Sequence, residues 1–371
     1  MPEHYIGLMS GTSLDGVDAV LARFEQGLPT VLGHVHTGFE PALANELLAL
    51  NRSGADELHR AALAANALAR VYAQAVHALL ERCGLHARAV RAVGAHGQTV
   101  RHRPTEFDGV GYTLQLLNGA LLAELCDIDV VCDLRSRDLA AGGQGAPLVP
   151  AFHAAVFARP GQVQAVLNLG GIANLTLLDG RGGVRGFDCG AGNALLDLWC
   201  SRHLGRPYDE DGAWAAGGQA DPTLLEALMA EPFLDRSPPK STGRDLFNDG
   251  WLDARLAAAG AGLSAVDVQA TLAEFTVAAA SGALRRFLPG ATRLLVCGGG
   301  ARNGHLMRRL AAALPGTAVI ATDDAGLPAQ QVEAAAFAWL AAAFVGRQPG
   351  NLPAVTGAGG PRVLGALYPA G

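Results

Sequence analysis

Residues 6–18 read IGLMSGTSLDGVD, and this stretch decides the predicted fold. Apolar residues on either side of Ser10–Ser13 predict a strand, a tight turn and a second strand. A turn of serine, threonine and glycine presents N–H groups and hydroxyls to one point, as phosphate oxygens require. The carboxylates of Asp15 and Asp18 follow, and they are oxygen ligands of the kind that Mg²⁺ prefers. The same composition is typical of an ordinary hairpin loop, so both interpretations stay open here.

Glycine-rich turns of this kind recur twice. Gly170-Gly171 separates strands predicted over residues 163–169 and 172–178, and Gly298-Gly299-Gly300 follows a strand predicted over residues 294–297. Two related α/β lobes with a nucleotide between them would produce this repetition, although glycine turns are common in α/β folds generally.

Alternating helices and strands are predicted along the rest of the chain, which indicates an α/β sheet. The predicted helices cover residues 54–83, 118–126, 149–158, 194–200 and 303–313, and further strands cover residues 89–93 and 127–132. The glycine-dense loop at 142–147 is the predicted crossing between lobes. The predicted domains are therefore 1–132, with the extreme C-terminal segment, and 133–371.

Composition limits the classes of partner. The 371 residues carry a net charge of −6, which predicts no nucleic-acid or anionic-membrane partner. No apolar run is long enough for a membrane-spanning helix, and the first residues do not resemble a signal peptide. Six scattered cysteines are typical of reduced thiols in a cytoplasmic protein and argue against a zinc site.

Lys240 is the only lysine among 28 basic residues, and it lies in the segment PPKSTGR. Its compact ammonium beside hydroxyls would suit a ligand pocket, and the alternative explanation of its isolation is a compositional bias towards arginine. No GxxxxGK[ST] run is present, so a P-loop is excluded.

The segments around residues 11, 96, 142, 170, 188, 240 and 298 resemble the signature blocks of the anhydro-N-acetylmuramic acid kinase family, in the actin/hexokinase/sugar-kinase superfamily. The resemblance covers nearly the whole chain, and IGLMSGTSLDGVD with NLGGIAN and FDCGAGN carries it. It implies two ribonuclease-H-like lobes with ATP in an inter-lobe cleft, and a homodimer. The implied reaction converts 1,6-anhydro-N-acetylmuramic acid, ATP and water to N-acetylmuramate 6-phosphate and ADP.

The resemblance also implies the site residues. Asp188 matches the catalytic carboxylate, a general base for water, although an aspartate before a helix is also typical of an N-cap. The superfamily's Asp-x-Gly-Thr turn has Met9 at its first position here, so Asp15 or Asp18 would hold Mg²⁺. The residues implied to bind ATP and its phosphates are Ser10, Gly11, Thr12, Ser13, Leu14, Asp15, Gly16, Val17, Asp18, Gly170, Gly171, Gly298, Gly299 and Gly300.

Other residues have two interpretations each. His96, Gln98 and Thr99 resemble a sugar-facing block, whereas a loop histidine is commonly a solvated surface group. Arg135 would receive the lactyl carboxylate in bidentate fashion, or pair with Asp133 or Asp138. Lys240 is grouped with these substrate contacts. Glu333 faces the site or stabilises a helix N-terminus.

Three alternative functions remain at this stage. Another hexose or amino-sugar kinase would accept a reducing sugar. An NAD(P)-dependent oxidoreductase would use Gly298, Gly300 and Gly304 with Asp323-Asp324, but the spacing GxGxxxG differs from the dinucleotide-binding pattern. A non-catalytic ATP-gated protein would release ADP without a sugar.

Overall fold

The computed structural model describes residues 3–11, 13–25, 28–260 and 262–371. Within them the strands are β1 His4–Met9, β2 Gly16–Glu25, β3 Leu28–Gly38, β4 Val90–Ala95, β5 Gln98–Pro104, β6 Gly111–Leu116, β7 Val130–Cys132, β8 Gln164–Leu169, β9 Ala173–Leu178, β10 Val184–Gly190, β11 Arg293–Cys297, β12 Ala318–Ala321 and β13 Ala366–Tyr368.

The helices of the described residues follow the same chain order. They are α1 Pro41–Ala49, α2 Glu57–Cys83, α3 Gly119–Cys126, α4 Ser136–Leu139, α5 Val149–Phe157, α6 Ala194–Leu204, α7 Ala213–Ala216, α8 Pro222–Met229, α9 Pro232–Asp235, α10 Asp249–Ala259, α11 Ala265–Phe287, α12 Gly304–Ala313, α13 Val332–Val345 and α14 Pro353–Thr356. None of them is long and apolar enough to cross a membrane.

The chain divides into two compact units. The first contains the chain up to Val156 together with Gln331–Gly371, and the second is Phe157–Gln330. This division differs from the predicted boundary after residue 132. Residues 133–156 belong with the first unit, so the loop at 142–147 lies inside that unit. The end of the chain belongs to the first unit because α13 packs on the sheet of that unit and β13 pairs with β7.

The first-unit sheet has the strand order β13-β7-β4-β1-β2-β3, with β1, β4 and β7 parallel and β2 antiparallel to β1. Apolar residues of α2, including the fully buried Leu68 and Tyr72, pack against Val17 and Leu21 of β2. A separate antiparallel hairpin of β5 and β6 follows β4.

Two glycines allow α13 to lie directly on this sheet. A Cβ atom on Gly7 would lie 1.8 Å from the carbonyl oxygen of Ala334, and one on Gly94 would lie 2.0 Å from that of Phe337. Any side chain at these positions would overlap the helix backbone. The glycine in the opening motif therefore serves helix–sheet packing, a reason that the sequence pattern did not reveal.

The second-unit sheet has the order β10-β9-β8-β11-β12, with β8, β11 and β12 parallel and β9 antiparallel to its neighbours. Phe275 and Val277 of the long helix α11 are buried in a core that includes Leu175 and Phe187 of the sheet. Helices α7 to α10 follow α6 and precede α11 in the chain.

Both sheets share one topology. Each contains an antiparallel three-strand meander joined at its first strand to two parallel strands, in the spatial order 3-2-1-4-5 when β5, β6 and β13 are set aside. This is the ribonuclease-H-like arrangement, so the predicted fold class is confirmed. An antiparallel meander also differs from the parallel sheet of a dinucleotide-binding fold, which removes the support for the oxidoreductase alternative.

Several predicted elements are confirmed closely. The side chains of Asn118 and Asn303 cap α3 and α12 by accepting hydrogen bonds from backbone amides. The predicted strand over residues 127–132 is shorter, because β7 covers only Val130–Cys132 and Asp127 ends α3 in a left-handed conformation.

Candidate functional site

The turn after β1 is anchored by buried hydrogen bonds. Ser10 is 1% exposed, and its Oγ lies 2.7 Å from the hydroxyl of Tyr72 and donates to the carbonyl of Gly97 at 3.2 Å. The carbonyl of Gly11 accepts from Nε2 of Gln98 at 3.1 Å. The predicted phosphate-binding turn is therefore fixed against the loop that follows β4, at the carboxyl edge of the first-unit sheet.

The rest of the turn is more open. Thr12 lies outside the described residues. Ser13 and Asp15 are exposed, and Oγ of Ser13 donates to Oδ1 of Asp15 at 2.6 Å. The side chains of Leu14 and Val17 pack in the apolar core, so only their backbone groups are available for a phosphate contact.

Asp18 lies inside β2, which begins at Gly16. Its Oδ1 accepts hydrogen bonds from Nε2 of His34 at 2.9 Å and from Nδ1 of His36 at 3.2 Å, both on β3. Among the described residues, no group of three or more His, Cys, Asp or Glu side chains could hold a metal ion.

His96 is a buried neutral imidazole and not a solvated surface group. It is 6% exposed, and its ring lies 4.8 Å from the ring of Phe337 between centroids. Burial and the neighbouring Arg135 lower the pKa of His96 to about 3. Nδ1 lies 3.2 Å from the carbonyl of Ser10, which can only accept, so Nδ1 carries the proton and Nε2 is an acceptor.

Arg135 uses that acceptor. Its Nη2 lies 2.9 Å from Nε2 of His96, and its Nη1 donates to the carbonyl of Gly145 at 2.7 Å. These contacts orient the guanidinium at the carboxyl edge of the same sheet. Both residues were predicted to lie in a substrate site, and the structure brings their side chains together.

Asp138 holds the loop that orients this guanidinium. It is fully buried, and its carboxylate accepts from the amide of Gly145 at 2.8 Å, Nδ2 of Asn351 at 2.6 Å and Oγ1 of Thr356 at 2.8 Å. Asp133, the other carboxylate offered as an ion-pair partner, accepts from a backbone amide at 3.4 Å. The role of Asp138 was missed because two of its partners, Asn351 and Thr356, lie more than 200 residues later in the chain.

Gln98 begins β5 and is 1% exposed. Its Oε1 is buried and has no hydrogen-bond partner among the residues that the structure describes. An unpaired buried acceptor is costly, so this atom suits a ligand or water donor. Thr99 accepts from Nε2 of Gln115 at 3.1 Å across the hairpin.

The second unit presents its glycine turns at the corresponding edge of its sheet. The carbonyls of Gly170 and Gly171 accept from the amides of Asn193 at 2.9 Å and Ala194 at 3.0 Å. Nδ2 of Asn193 donates to the carbonyl of Leu169 at 2.9 Å. The start of α6 thus fixes the turn between β8 and β9. This role of Asn193 was not predicted from the sequence.

The Gly298–Gly300 turn lies against the same strand end. Gly298 has φ +80°, and a Cβ atom there would lie 2.4 Å from Oδ1 of Asn168. A Cβ on Gly300 would lie 2.5 Å from the Cβ of Leu169. Only glycine fits at these two positions, because the backbone of the turn packs directly on the end of β8.

Asp188 lies near the end of β10, where the pairing with β9 has a bulge. It is 6% exposed, its Oδ2 accepts from the amide of Thr242 at 2.8 Å, and its own amide donates to the carbonyl of Lys240 at 3.2 Å. Asp188 belongs to β10, and the N-cap position of α6 is Asn193, so the N-cap interpretation of Asp188 is wrong. The contact with Thr242 was not predicted.

Lys240 is 6% exposed. Its Nζ donates to the carbonyls of Phe233 at 3.0 Å and Leu234 at 2.9 Å, and it lies 4.7 Å from the ring centroid of Phe233. Burial lowers the pKa of Lys240. The predicted substrate contact stays a prediction, and the described contacts of the ammonium are internal. Glu333 is half-buried in the first turn of α13.

Comparisons with known proteins agree over nearly the full length. The model of one protein family, described as anhydro-N-acetylmuramic acid kinase, matches residues 3–370. The chain belongs to the anhydro-N-acetylmuramic acid kinase family. Two similar relatives of that name come from Cupriavidus pinatubonensis, 58% identical over 99% of this chain and 98% of the relative, and Bordetella petrii, 62% identical over 99% and 96%.

Membership of the anhydro-N-acetylmuramic acid kinase family confirms the resemblance inferred from the motifs. Among solved structures, the chain is similar to the activator of the 2-hydroxyisocaproyl-CoA dehydratase from Clostridium difficile with bound ADPNP. That similarity has 14% identity over 91% of this chain and 93% of that chain, with a TM-score of 0.47. At this level it bears on neither fold nor function.

Proposed function

We propose that this chain uses ATP and water to convert 1,6-anhydro-N-acetylmuramic acid to N-acetylmuramate 6-phosphate and ADP, in the recycling of peptidoglycan. Family membership over residues 3–370 supports the kinase activity and the sugar. The observation that carries the mechanism is the buried carboxylate of Asp188, held by the Thr242 amide at 2.8 Å.

Asp188 is the general base in this proposal. It takes one proton from water, the water oxygen bonds to the anomeric carbon, and the bond from that carbon to O6 of the anhydro bridge breaks. The freed O6 then bonds to the γ-phosphorus of ATP. The bond between that phosphorus and the oxygen that joins it to the β-phosphate breaks, and ADP leaves. A carboxylate fixed by a backbone amide keeps its orientation, as proton abstraction from a positioned water requires.

The proposed contacts of the triphosphate are turns that follow the carboxyl ends of strands in the first-unit and second-unit sheets. Backbone groups of residues 10–18 and Gly170-Gly171 would contact phosphate oxygens, and Gly298–Gly300 would contact the nucleoside. The bonds that fix Ser10 and the 170–171 turn support this, because a rigid turn loses little entropy on binding. The chain has no P-loop lysine, so hydrogen bonds from backbone amides would stabilise much of the negative charge on the phosphates.

The proposed cofactor is Mg²⁺, with Asp15 or Asp18 as its protein ligand. Asp15 fits the group better, because it is exposed and accepts one hydrogen bond from Ser13, whereas Oδ1 of Asp18 already accepts from two histidines. When bound, the ion would neutralise charge on the phosphates.

The proposed sugar contacts are His96, Gln98, Thr99 and Arg135. The oriented guanidinium of Arg135 would pair with the lactyl carboxylate, and the unpartnered Oε1 of Gln98 would accept from a sugar hydroxyl or amide. Besides its proposed sugar contact, the neutral imidazole of His96 orients Arg135 through its Nε2. A homodimer is also proposed, on the family resemblance, and a cytoplasmic location, on the six scattered cysteines that are typical of reduced thiols.

A coupled ADP-release assay tests the function. The purified protein is given ATP and Mg²⁺ with the anhydro sugar, with N-acetylmuramic acid, N-acetylglucosamine or glucose, or with no sugar. We expect ADP release at an appreciable rate only with the anhydro sugar. Equal rates with a reducing sugar would favour an ordinary hexose kinase, and sugar-independent release would favour an ATP-gated protein.

A further inference from the structure

The segment 238–242 holds Asp188 at two points. The carbonyl of Lys240 accepts from the backbone amide of Asp188 at 3.2 Å, and the amide of Thr242 donates to its Oδ2 at 2.8 Å. These residues form no helix or strand, so no regular ladder fixes the segment. Its position must come from other contacts.

The Lys240 side chain supplies a buried set of such contacts. Its ammonium donates to the carbonyls of Phe233 and Leu234, at the end of the short helix α9. It also lies 4.7 Å and 5.7 Å from the ring centroids of Phe233 and Phe187, within the range of cation–π attraction. Phe187 precedes Asp188 in β10, so one ammonium ties α9, β10 and the segment together.

We propose that Lys240 is a positioning residue for Asp188: its buried ammonium fixes the segment that carries the Thr242 amide, and thereby orients the general base. This inference rests on the proposed function, which makes Asp188 the base. It replaces the substrate contact predicted for Lys240 from its isolation in the sequence.

The charged and titratable groups around the ammonium are few. Asp188, Cys189, Asp235 and Arg286 act on it electrostatically, and burial lowers the pKa of Lys240. Burial also raises the pKa of the Cys189 thiol to about 12, so that group stays neutral near pH 7. The ammonium of Lys240 and the carboxylate of Asp188 attract each other electrostatically. Arg286 is half-exposed at the end of α11 and forms an ion pair with Asp235.

Lys240→Met tests the inference, because methionine keeps an unbranched apolar stem of similar length and removes the donor and the charge. We expect kcat to fall about 10- to 100-fold, since a small misplacement of a catalytic group has effects of this size. The KM for the anhydro sugar and the affinity for ATP should change less than about threefold.

The pH profile separates positioning from a general loss of stability. Losing the ammonium and loosening the Thr242 amide both disfavour a charged carboxylate, so the acid limb of kcat/KM should move upward by about one pH unit. A variant that is only less stable would have a lower kcat/KM at every pH, and the pH at which its acid limb falls would not change. Arg286→Met is the matched control, because it removes a neighbouring cation without touching the segment, and its acid limb should stay in place.

Two results would overturn the proposal. One is a Lys240→Met enzyme with a raised KM for the sugar, unchanged kcat and an unmoved acid limb, which would restore the substrate contact. The other is wild-type kinetics. If this variant does not fold, Thr242→Pro removes the amide donor directly, and an unmoved acid limb there contradicts the proposal equally.

Failure of the proposed function would give a different pattern. If Asp188→Asn retained wild-type turnover, Asp188 would not be the base and the inference about Lys240 would lose its premise. If Asp188→Asn were inactive while Lys240→Met behaved as wild type, the base assignment would stand and only the positioning role would fail.

Discussion

Replacing Gly94 by alanine should destabilise the first unit strongly, because α13 lies directly on β4 at this position. The added methyl group would lie 2.0 Å from the carbonyl oxygen of Phe337 and 2.8 Å from its carbonyl carbon. Ordinary contact needs about 3.5 Å, so the helix must retreat by about 1.5 Å. The obstacle is backbone, which no rotamer change relieves.

The expected loss follows from overpacking energetics. Forcing a methyl group into a filled core costs about 1–3 kcal/mol, and a clash with helix backbone belongs at the upper end of that range. A loss of about 3 kcal/mol corresponds to a fall in Tm of about 6–12 °C in a unit of this size. Hydrogen exchange of α13 and β4 should accelerate with it, whereas peptides from α11 should exchange as in the wild type.

Gly282→Ala is the matched control for the same substitution. Gly282 lies inside α11, and, apart from its chain neighbours and the backbone of that helix, no described atom lies within 4 Å of the added methyl group. Alanine there should raise the free energy of unfolding by about 0.5–1 kcal/mol through helix propensity. If Gly94→Ala left the unfolding free energy and the exchange of α13 unchanged, the close packing of this helix would be refuted.

Three further predictions concern the site. Asp188→Asn should lower turnover about 10²- to 10⁴-fold, while the ATP affinity measured by calorimetry stays unchanged. The control Asp235→Asn, at an exposed position, should change neither turnover nor ATP affinity. A comparable loss of turnover in the two variants would count against Asp188 as the general base. The folded-state pKa of His96, about 3, lies below the unfolded value near 6.5, so stability falls as pH drops through 6.5 towards 3. Between pH 5 and 6 His96→Gln should therefore reduce the slope of unfolding free energy against pH by about 1.4 kcal/mol per unit, and an unchanged slope would show a charged His96 in the folded state. Arg135→Lys should weaken binding of the anhydro sugar about tenfold, because an ammonium cannot reproduce the bonds to His96 and Gly145, while ATP binding stays constant; equal affinity for the sugar would remove Arg135 from the site.

Local patterns were sufficient for much of the fold. The cap residues Asn118 and Asn303, the period of α2 and the glycine turns at 170 and 298 each act within a few residues, so the sequence predicted the elements around them. The recurrence of those turns also led to two similar units. Both sheets share one strand order, which agrees with that inference.

Long-range contacts account for what the sequence could not show. The loop at 142–147 was interpreted as a crossing between lobes because it is rich in glycine. Its position depends on Asp138, whose partners Asn351 and Thr356 follow more than 200 residues later. Lys240 was interpreted as a ligand contact because it is the only lysine, but nothing near it in the sequence indicates that its ammonium reaches the end of α9.

The end of the chain has a consequence for biosynthesis. The first-unit sheet needs β13 at its edge and α13 on its face, whereas Phe157–Gln330 is one uninterrupted stretch. During synthesis, the second unit can therefore fold before α13 and β13 have been made. The amino-terminal strands can complete their sheet only after those two elements are available. A stop codon after residue 330 should yield a folded second unit beside an incomplete, aggregation-prone amino-terminal half.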